Sequence, residues 1–214
     1  MRKKILLILP LLLFAITQQL QAVTCNWGYC NSVVNDQFGS VNKGKGAIYI
    51  PAEISKMYEG KQLSYVRVGL AAKAKTVKVF VTKDLNSEYI TTRTQRDQLS
   101  GFNEIKFAEP WTIDGEGFYI GYEFESDDYA MGSSTMYNEN GCWADLGDGW
   151  KNYAVEDHAL ALSIQAKISG DDLPKDYWLF CSNDILAEAG KPFNINFSIR
   201  NMGTAIGRRF QVAY

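Results

Sequence analysis

Across 214 residues, apolar side chains make up 46% and charged ones 21%, which is enough to build a core and excludes a disordered or collagen-like chain. The formal net charge is -2 with one histidine, so multi-histidine zinc sites and two-histidine iron sites have no ligands. No stretch gathers the lysines and arginines that tracking a phosphate backbone needs, which excludes nucleic acid as a partner.

Arg2, Lys3 and Lys4 precede an apolar run from Ile5 to Ile16 broken only by Pro10, and Leu20-Gln21-Ala22 ends on a small residue. Residues 1–22 therefore read as a secretory signal peptide. The run is too short to span a bilayer, and no second run of about 18 apolar residues follows. The expected product is exported to the periplasm, outer surface or extracellular space and does not span the membrane. Taking three basic residues away leaves 19 basic against 24 acidic side chains, a net charge of -5. Thr24 stands where lipid-attachment sites carry Gly, Ala or Ser, which speaks against lipid on Cys25. Export makes Cys25, Cys30, Cys142 and Cys181 disulfide candidates with three ways to pair. The spacing of Cys25 and Cys30 is not that of a redox motif and reads as a loop staple, while the pairing of Cys142 and Cys181 stays open.

From Gly46 onward, short apolar or alternating segments punctuated by Gly, Asn and Asp predict an all-β sandwich or barrel. The expected strands run over 47–50, 63–70, 76–82, 89–94, 103–107, 117–124, 134–137, 142–146, 150–153 and 159–168. Alternation is cleanest in Thr76 to Thr82, where Val77, Val79 and Val81 face one way and Lys78, Phe80 and Thr82 the other. It is equally clean from Leu160 to Ile168. One short helix is expected after Ile50, with Pro51 at its first position, Ile54, Met57 and Tyr58 at helical spacing, and Gly60 at its end. The segment Asp171-Asp172-Leu173-Pro174-Lys175-Asp176 marks a boundary. Beyond it, strands are expected at Tyr177 to Cys181, at Phe193 to Ile199 and from Arg209 to Tyr214. The organisation is then a signal peptide (1–22), a β-sandwich (23–172) and the first strands of a second unit (173–214).

The run Gly46-Ala47-Ile48-Tyr49-Ile50-Pro51, with Tyr65-Val66-Arg67-Val68-Gly69-Leu70, Val77-Lys78-Val79-Phe80-Val81-Thr82, Gly101-Phe102-Asn103-Glu104-Ile105 and Gly117-Phe118-Tyr119-Ile120-Gly121-Tyr122, resembles an exported bacterial jelly-roll module. Such modules accompany cleaved-adhesin, gingipain-like and streptopain-like secreted proteins. Ala189-Gly190-Lys191-Pro192-Phe193 through Arg200-Asn201-Met202-Gly203-Thr204 is similar to the start of a CARDB-type Ig-like domain. The resemblance implies an all-β jelly-roll β-sandwich followed by an incomplete Ig-like β-sandwich, with further domains after Tyr214. It also implies a non-catalytic adhesion or accessory role at the cell surface, with glycan or protein as partner, and it names no catalytic residue.

The segment from Asp127 to Tyr153 concentrates candidate ligand contacts. Tyr129, Tyr137, Trp143, Trp150 and Tyr153 can stack on sugar rings, and Asp127, Asp128, Asp145 and Asp148 can bond hydroxyls or hold a structural calcium ion. No Asp-x-Asp-x-Asp-Gly loop organises these acids, and no other cofactor is expected. Gly147-Asp148-Gly149 is also a hairpin turn, so Trp143 and Trp150 can equally be a cross-strand pair packed on the core. Cys142 with His158 lacks a family signature for nucleophilic chemistry. Glu123 and Glu125 share a strand face without the third element a glycosidase needs. No Gly-x-Ser-x-Gly elbow occurs, and Gly44-Lys45-Gly46 lacks the rest of a dinucleotide motif. The expected role is binding of glycan or protein through loops 127–153; the alternative is a structural spacer without a ligand of its own.

Overall fold

In a computed structural model, residues 23–154, 160–174, 177–181 and 197–201 are described. Chain order gives β1 (Val23–Trp27), β2 (Asp36–Gln37), β3 (Lys43–Ile50), a short helix α1 (Ala52–Met57), β4 (Gln62–Leu70), β5 (Ala74–Thr82), β6 (Thr91–Gln98) and β7 (Gly101–Thr112). It continues with β8 (Phe118–Ser126), β9 (Gly132–Ser134), β10 (Trp143–Asp145), β11 (Trp150–Asn152), β12 (Ala161–Leu162) and β13 (Ile164–Gly170). The expected signal peptide, His158, the first residues of the expected 193–199 strand and the 209–214 strand lie outside the described residues.

Two sheets, ordered β1-β13-β4-β7 and β11-β10-β3-β8-β5-β6, carry the framework. Consider the eight strands β1, β3, β4, β5, β6, β7, β8 and β13 in that order. The first pairs with the last, the second with the seventh, the third with the sixth and the fourth with the fifth, all antiparallel. That is a long hairpin rolled into two sheets, the jelly roll. The β10–β11 hairpin adds to the free edge of β3, and β12, β9 and β2 form a small third sheet. Separately, β14 (Tyr177–Cys181) and β15 (Phe197–Asn201) pair antiparallel. Among the described residues no helix is long and apolar enough to cross a membrane.

The period of two decides which side of each strand is buried. Ile48 and Ile50, Val77, Val79 and Val81, and Phe118, Ile120 and Tyr122 point inward to meet Val66, Val68, Ile105 and Phe107 of the facing sheet. Each such apolar side chain contributes about 1.5–3 kcal/mol by leaving water. The same core includes Trp27 of β1 and Leu173.

Several elements depart from expectation for identifiable reasons. The strand expected at 89–94 is β6, shifted to Thr91–Gln98. Its sequence TTRTQRDQ is that of a polar edge strand with no apolar period to read. The strand expected over 159–168 is two strands. At Ser163 the chain changes partners, from β9 on one side to β4 on the other, with Ser163 donating to the Gly132 carbonyl and accepting from the Gly69 amide. β1 and β2 are additional to the expected strands: β1 (VTCNW) buries only Cys25 and Trp27, and β2 is two exposed polar residues with no apolar pattern. Pro51 sits just ahead of α1 rather than inside it, and of the three residues at helical spacing Tyr58 is buried, Ile54 is half-buried and Met57 faces water.

Candidate functional site

The residues that alternate with the core of the six-stranded sheet form its outer face. Asp145, Lys45, Glu123 and Lys78 stand opposite one another on β10, β3, β8 and β5. Two positions along, Trp143, Ala47, Gly121 and Phe80 make the next row, and Tyr49, Tyr119 and Thr82 follow. Trp150 on β11 lies opposite Asp145 and diagonal to Trp143.

This face carries an aromatic cluster distinct from the core. Ala47, Phe80 and Leu85 are buried there, with Tyr89, Tyr119, Trp143 and Trp150 packed against them and partly open to water. Ala47 and Gly121 supply almost no side chain at the middle of the row, and the Phe80 ring fills the hollow: a Cβ on Gly121 would lie 2.6 Å from Phe80 Cζ. Tyr89, from the β5–β6 loop, stacks on Phe80 at 4.2 Å between centroids and 5° between planes. Trp150 meets Phe80 edge-on at 6.2 Å, and Trp143 meets Tyr119 edge-on at 5.7 Å. Both geometries follow the ring quadrupole. Among the described residues the indole N–H of Trp143 is buried and has no acceptor.

Alongside runs the charged row. Tyr89 donates its hydroxyl to Glu123 Oε1 at 2.7 Å, while Lys78 Nζ stands 3.6 Å from Glu123 Oε2. Burial, with the Glu123 hydrogen bond and charge, pushes the Tyr89 phenol well above its ordinary range. Asp145 Oδ1 accepts from the Gly147 and Gly149 amides at 2.9 and 3.1 Å, and Lys45 Nζ stands 3.8 Å from Asp145 Oδ2. Lys45 also lies 6.0 Å from the centre of the Trp150 ring. Lys43, Lys45, Glu123, Asp145 and Gly147 line a groove of about 270 Å³ beside these groups, just below the usual range of roughly 300–1,000 Å³ for small-molecule sites.

Of the aromatic residues expected to contact a ligand, Trp143 and Trp150 come together on this face. They are diagonal rather than directly opposite, and they flank the sheet's outer side and not its core. Tyr153 turns inward against Phe38 at 5.3 Å. Tyr129 is exposed in the loop after β8 and Tyr137 is half-buried between β9 and β10.

The four candidate calcium ligands occupy two places. Asp127 pairs with Lys75 at 2.5 Å, and Asp128 caps its own loop by accepting from the Tyr129 amide at 2.7 Å. Asp145 organises the β10–β11 turn, and Asp148 pairs with Lys151, which holds its carboxyl below the usual range. Three strand spacings, about 14 Å in all, separate β10 from β5, where Lys75 holds Asp127. Among the described residues no group of three or more His, Cys, Asp or Glu side chains is arranged to hold a metal ion.

Cys142 faces the core as a buried thiol. Burial pushes it up to about 12, which keeps the proton on sulfur at neutral pH, whereas nucleophilic cysteines need the opposite shift. Cys25 and Cys30 are also buried, and Cys30 Sγ lies 3.5 Å from the Ile164 carbonyl.

Sequence reasoning did not anticipate Tyr49, Phe80, Tyr89, Tyr119, Lys45, Lys78 and Glu123 as neighbours of Trp143 and Trp150. One signal was available: Phe80 alternates with valines on β5, so a large aromatic had to stand on the side away from the core. No protein-family model and no curated protein sequence matches the chain.

Proposed function

We propose that the chain is an exported, non-catalytic surface module that binds glycan or protein through the outer face around Trp143 and Trp150, in the manner of the adhesin-associated jelly-roll modules it resembles. The observation that carries this reading is the second aromatic cluster. The jelly roll already has a full core between its sheets, yet it places Phe80, Tyr89, Tyr119, Trp143 and Trp150 on the solvent side of one sheet. Aromatic surface grouped with oriented polar groups is the usual composition of a recognition site. The leader-like residues 1–22 support export, and the net negative charge that remains without them supports a partner other than nucleic acid.

The separate β14–β15 pair favours a second reading, in which the jelly roll is a spacer between neighbouring units and binds nothing. Binding of the purified chain to glycan and surface-protein panels, with the Trp143→Ala/Trp150→Ala double variant beside it, separates the two. Signal lost in a double variant that keeps its far-ultraviolet dichroism supports the binding module. Signal equal in both proteins contradicts the proposed face, and no signal from either favours the spacer.

A further inference from the structure

The outer face also specifies a class of ligand. This inference rests on the binding reading above and narrows it. Both carboxylates in the charged row are fixed by one oxygen and loosely paired by the other. Glu123 Oε1 accepts from Tyr89 while Oε2 stands 3.6 Å from Lys78. Asp145 Oδ1 accepts from two turn amides while Oδ2 stands 3.8 Å from Lys45. Those two longer separations exceed the 2.7–3.2 Å of a hydrogen bond, so Oε2 and Oδ2 are held in position with acceptor capacity to spare. Lys45 is correspondingly uncommitted: its contact to Asp145 is long, and at 6.0 Å it sits at the outer limit of an interaction with the Trp150 ring.

The row therefore offers oriented acceptors and a movable donor beside an aromatic face, with two cations and two anions in balance. A polyanionic ligand finds no net positive charge to neutralise there. An apolar peptide would desolvate four charged groups and return nothing for them. A ligand dense in hydroxyls, each both donor and acceptor, with an apolar face to lie on indole, satisfies every group. We propose that the charged row beside Trp150 binds a neutral, hydroxyl-rich glycan, with one sugar ring on the Trp150 indole and its hydroxyls on Lys45, Glu123 Oε2 and Asp145 Oδ2. The groove of about 270 Å³ adjoins this row through Lys45, Glu123 and Asp145 and is completed by Lys43, Gly44, Phe124 and Gly147, giving room for a neighbouring sugar of a chain that continues past the ring on Trp150.

The test measures binding of the purified chain to neutral oligosaccharides (glucans, mannans and galactans), to sulfated and uronate-bearing glycans, and to surface proteins. Runs at about 0.05 M and about 0.5 M salt span strong and weak screening. The proposal expects binding to at least one neutral glycan, changing less than about twofold with salt. It also expects about tenfold or greater weakening in Trp150→Ala, substantial recovery in Trp150→Tyr, and weakening in Glu123→Gln. Recovery in Trp150→Tyr separates a lost stacking surface from a collapsed hairpin. Binding restricted to acidic glycans, with steep salt dependence, overturns the neutral-glycan assignment and leaves the binding module standing, as does binding restricted to a protein. Neutral-glycan binding undiminished in both Trp150→Ala and Glu123→Gln overturns the site. No binding in any arm overturns this inference together with the reading beneath it.

Discussion

Gly121 is the position where a single methyl group tests the packing of the outer face. A Cβ there would lie 2.3 Å from the Gly46 carbonyl oxygen, 2.6 Å from Phe80 Cζ and 2.8 Å from Ala47 Cβ. The Gly46 carbonyl belongs to the β3–β8 ladder and cannot retreat without opening it, and Phe80 is already fully buried. Overpacking of this kind costs about 1–3 kcal/mol, and pushing Phe80 out of its hollow forfeits part of the roughly 1.5–3 kcal/mol its burial supplies. Gly121→Ala is therefore expected to lose about 2–5 kcal/mol, and at roughly 2–4 °C per kcal/mol for a domain of this size its melting temperature falls by about 4–20 °C. Gly44→Ala, on the same strand as Gly46 but meeting its nearest neighbour at 3.1 Å, is the control and loses about 1 kcal/mol. Thermal unfolding followed by circular dichroism measures both. A Gly121→Ala protein melting within about 2 °C of wild type would refute the packing on which the site is built.

Phe80 and Trp150 belong to one cluster with different duties, and the split is measurable. Phe80→Ala is expected to cost about 3–5 kcal/mol, whereas partly exposed Trp150→Ala costs about half as much or less, read as shifts in denaturant midpoint. Asp145→Ala removes the acceptor of two turn amides. It should cost about 1–3 kcal/mol and loosen the β10–β11 hairpin, seen as faster amide exchange at Gly147 and Gly149. Cys142 has its thiol pushed up to about 12 by burial. Its contribution to stability is therefore whole below its ordinary value of 9.0 and drains away as pH rises toward the folded value. Stability measured across alkaline pH should fall less steeply in Cys142→Ala, and native Cys142 should resist alkylation at about pH 8 until the chain is unfolded.

The all-β sandwich class was legible because β5 and the stretch leading into β13 keep a period of two, whereas the jelly-roll order was implied only by the resemblance; the Gly147-Asp148-Gly149 turn was legible because only glycine enters positive φ easily, and both glycines do so, at φ 118° and 92°. The site was half legible. Trp143 and Trp150 lie within one hairpin, so proximity in the chain predicted proximity in space. Tyr129, Tyr137 and Tyr153 are close in the chain by the same logic, but Tyr153 packs inward against Phe38, and Tyr129 and Tyr137 lie in the segments before β9 and before β10. Sheet pairing carries the face to Tyr49, Phe80 and Tyr119 instead, up to about a hundred residues away in the chain. Alternation tells which side of a strand a residue faces but not which strands are its neighbours. Those are fixed by the order β10-β3-β8-β5, which no local pattern encodes. The strand expected from 89 starts at Thr91, and Tyr89 lies in the loop before it, stacked on Phe80.

The most direct test of the outer face as a binding site is a two-dimensional amide and indole spectrum of the isotopically labelled chain, recorded during titration with the neutral oligosaccharide that binds best. The account predicts shifts in the indole N–H signals of Trp150 and of Trp143, whose N–H is without an acceptor, and in the amides of Lys45, Glu123 and Asp145. The indole signals of Trp27, buried in the core, and of Trp111, packed against Phe118 on the far side, should stay in place. Shifts that avoid Trp143 and Trp150 and fall around Tyr129, Tyr137 or the Asp127–Asp128 loop would contradict it.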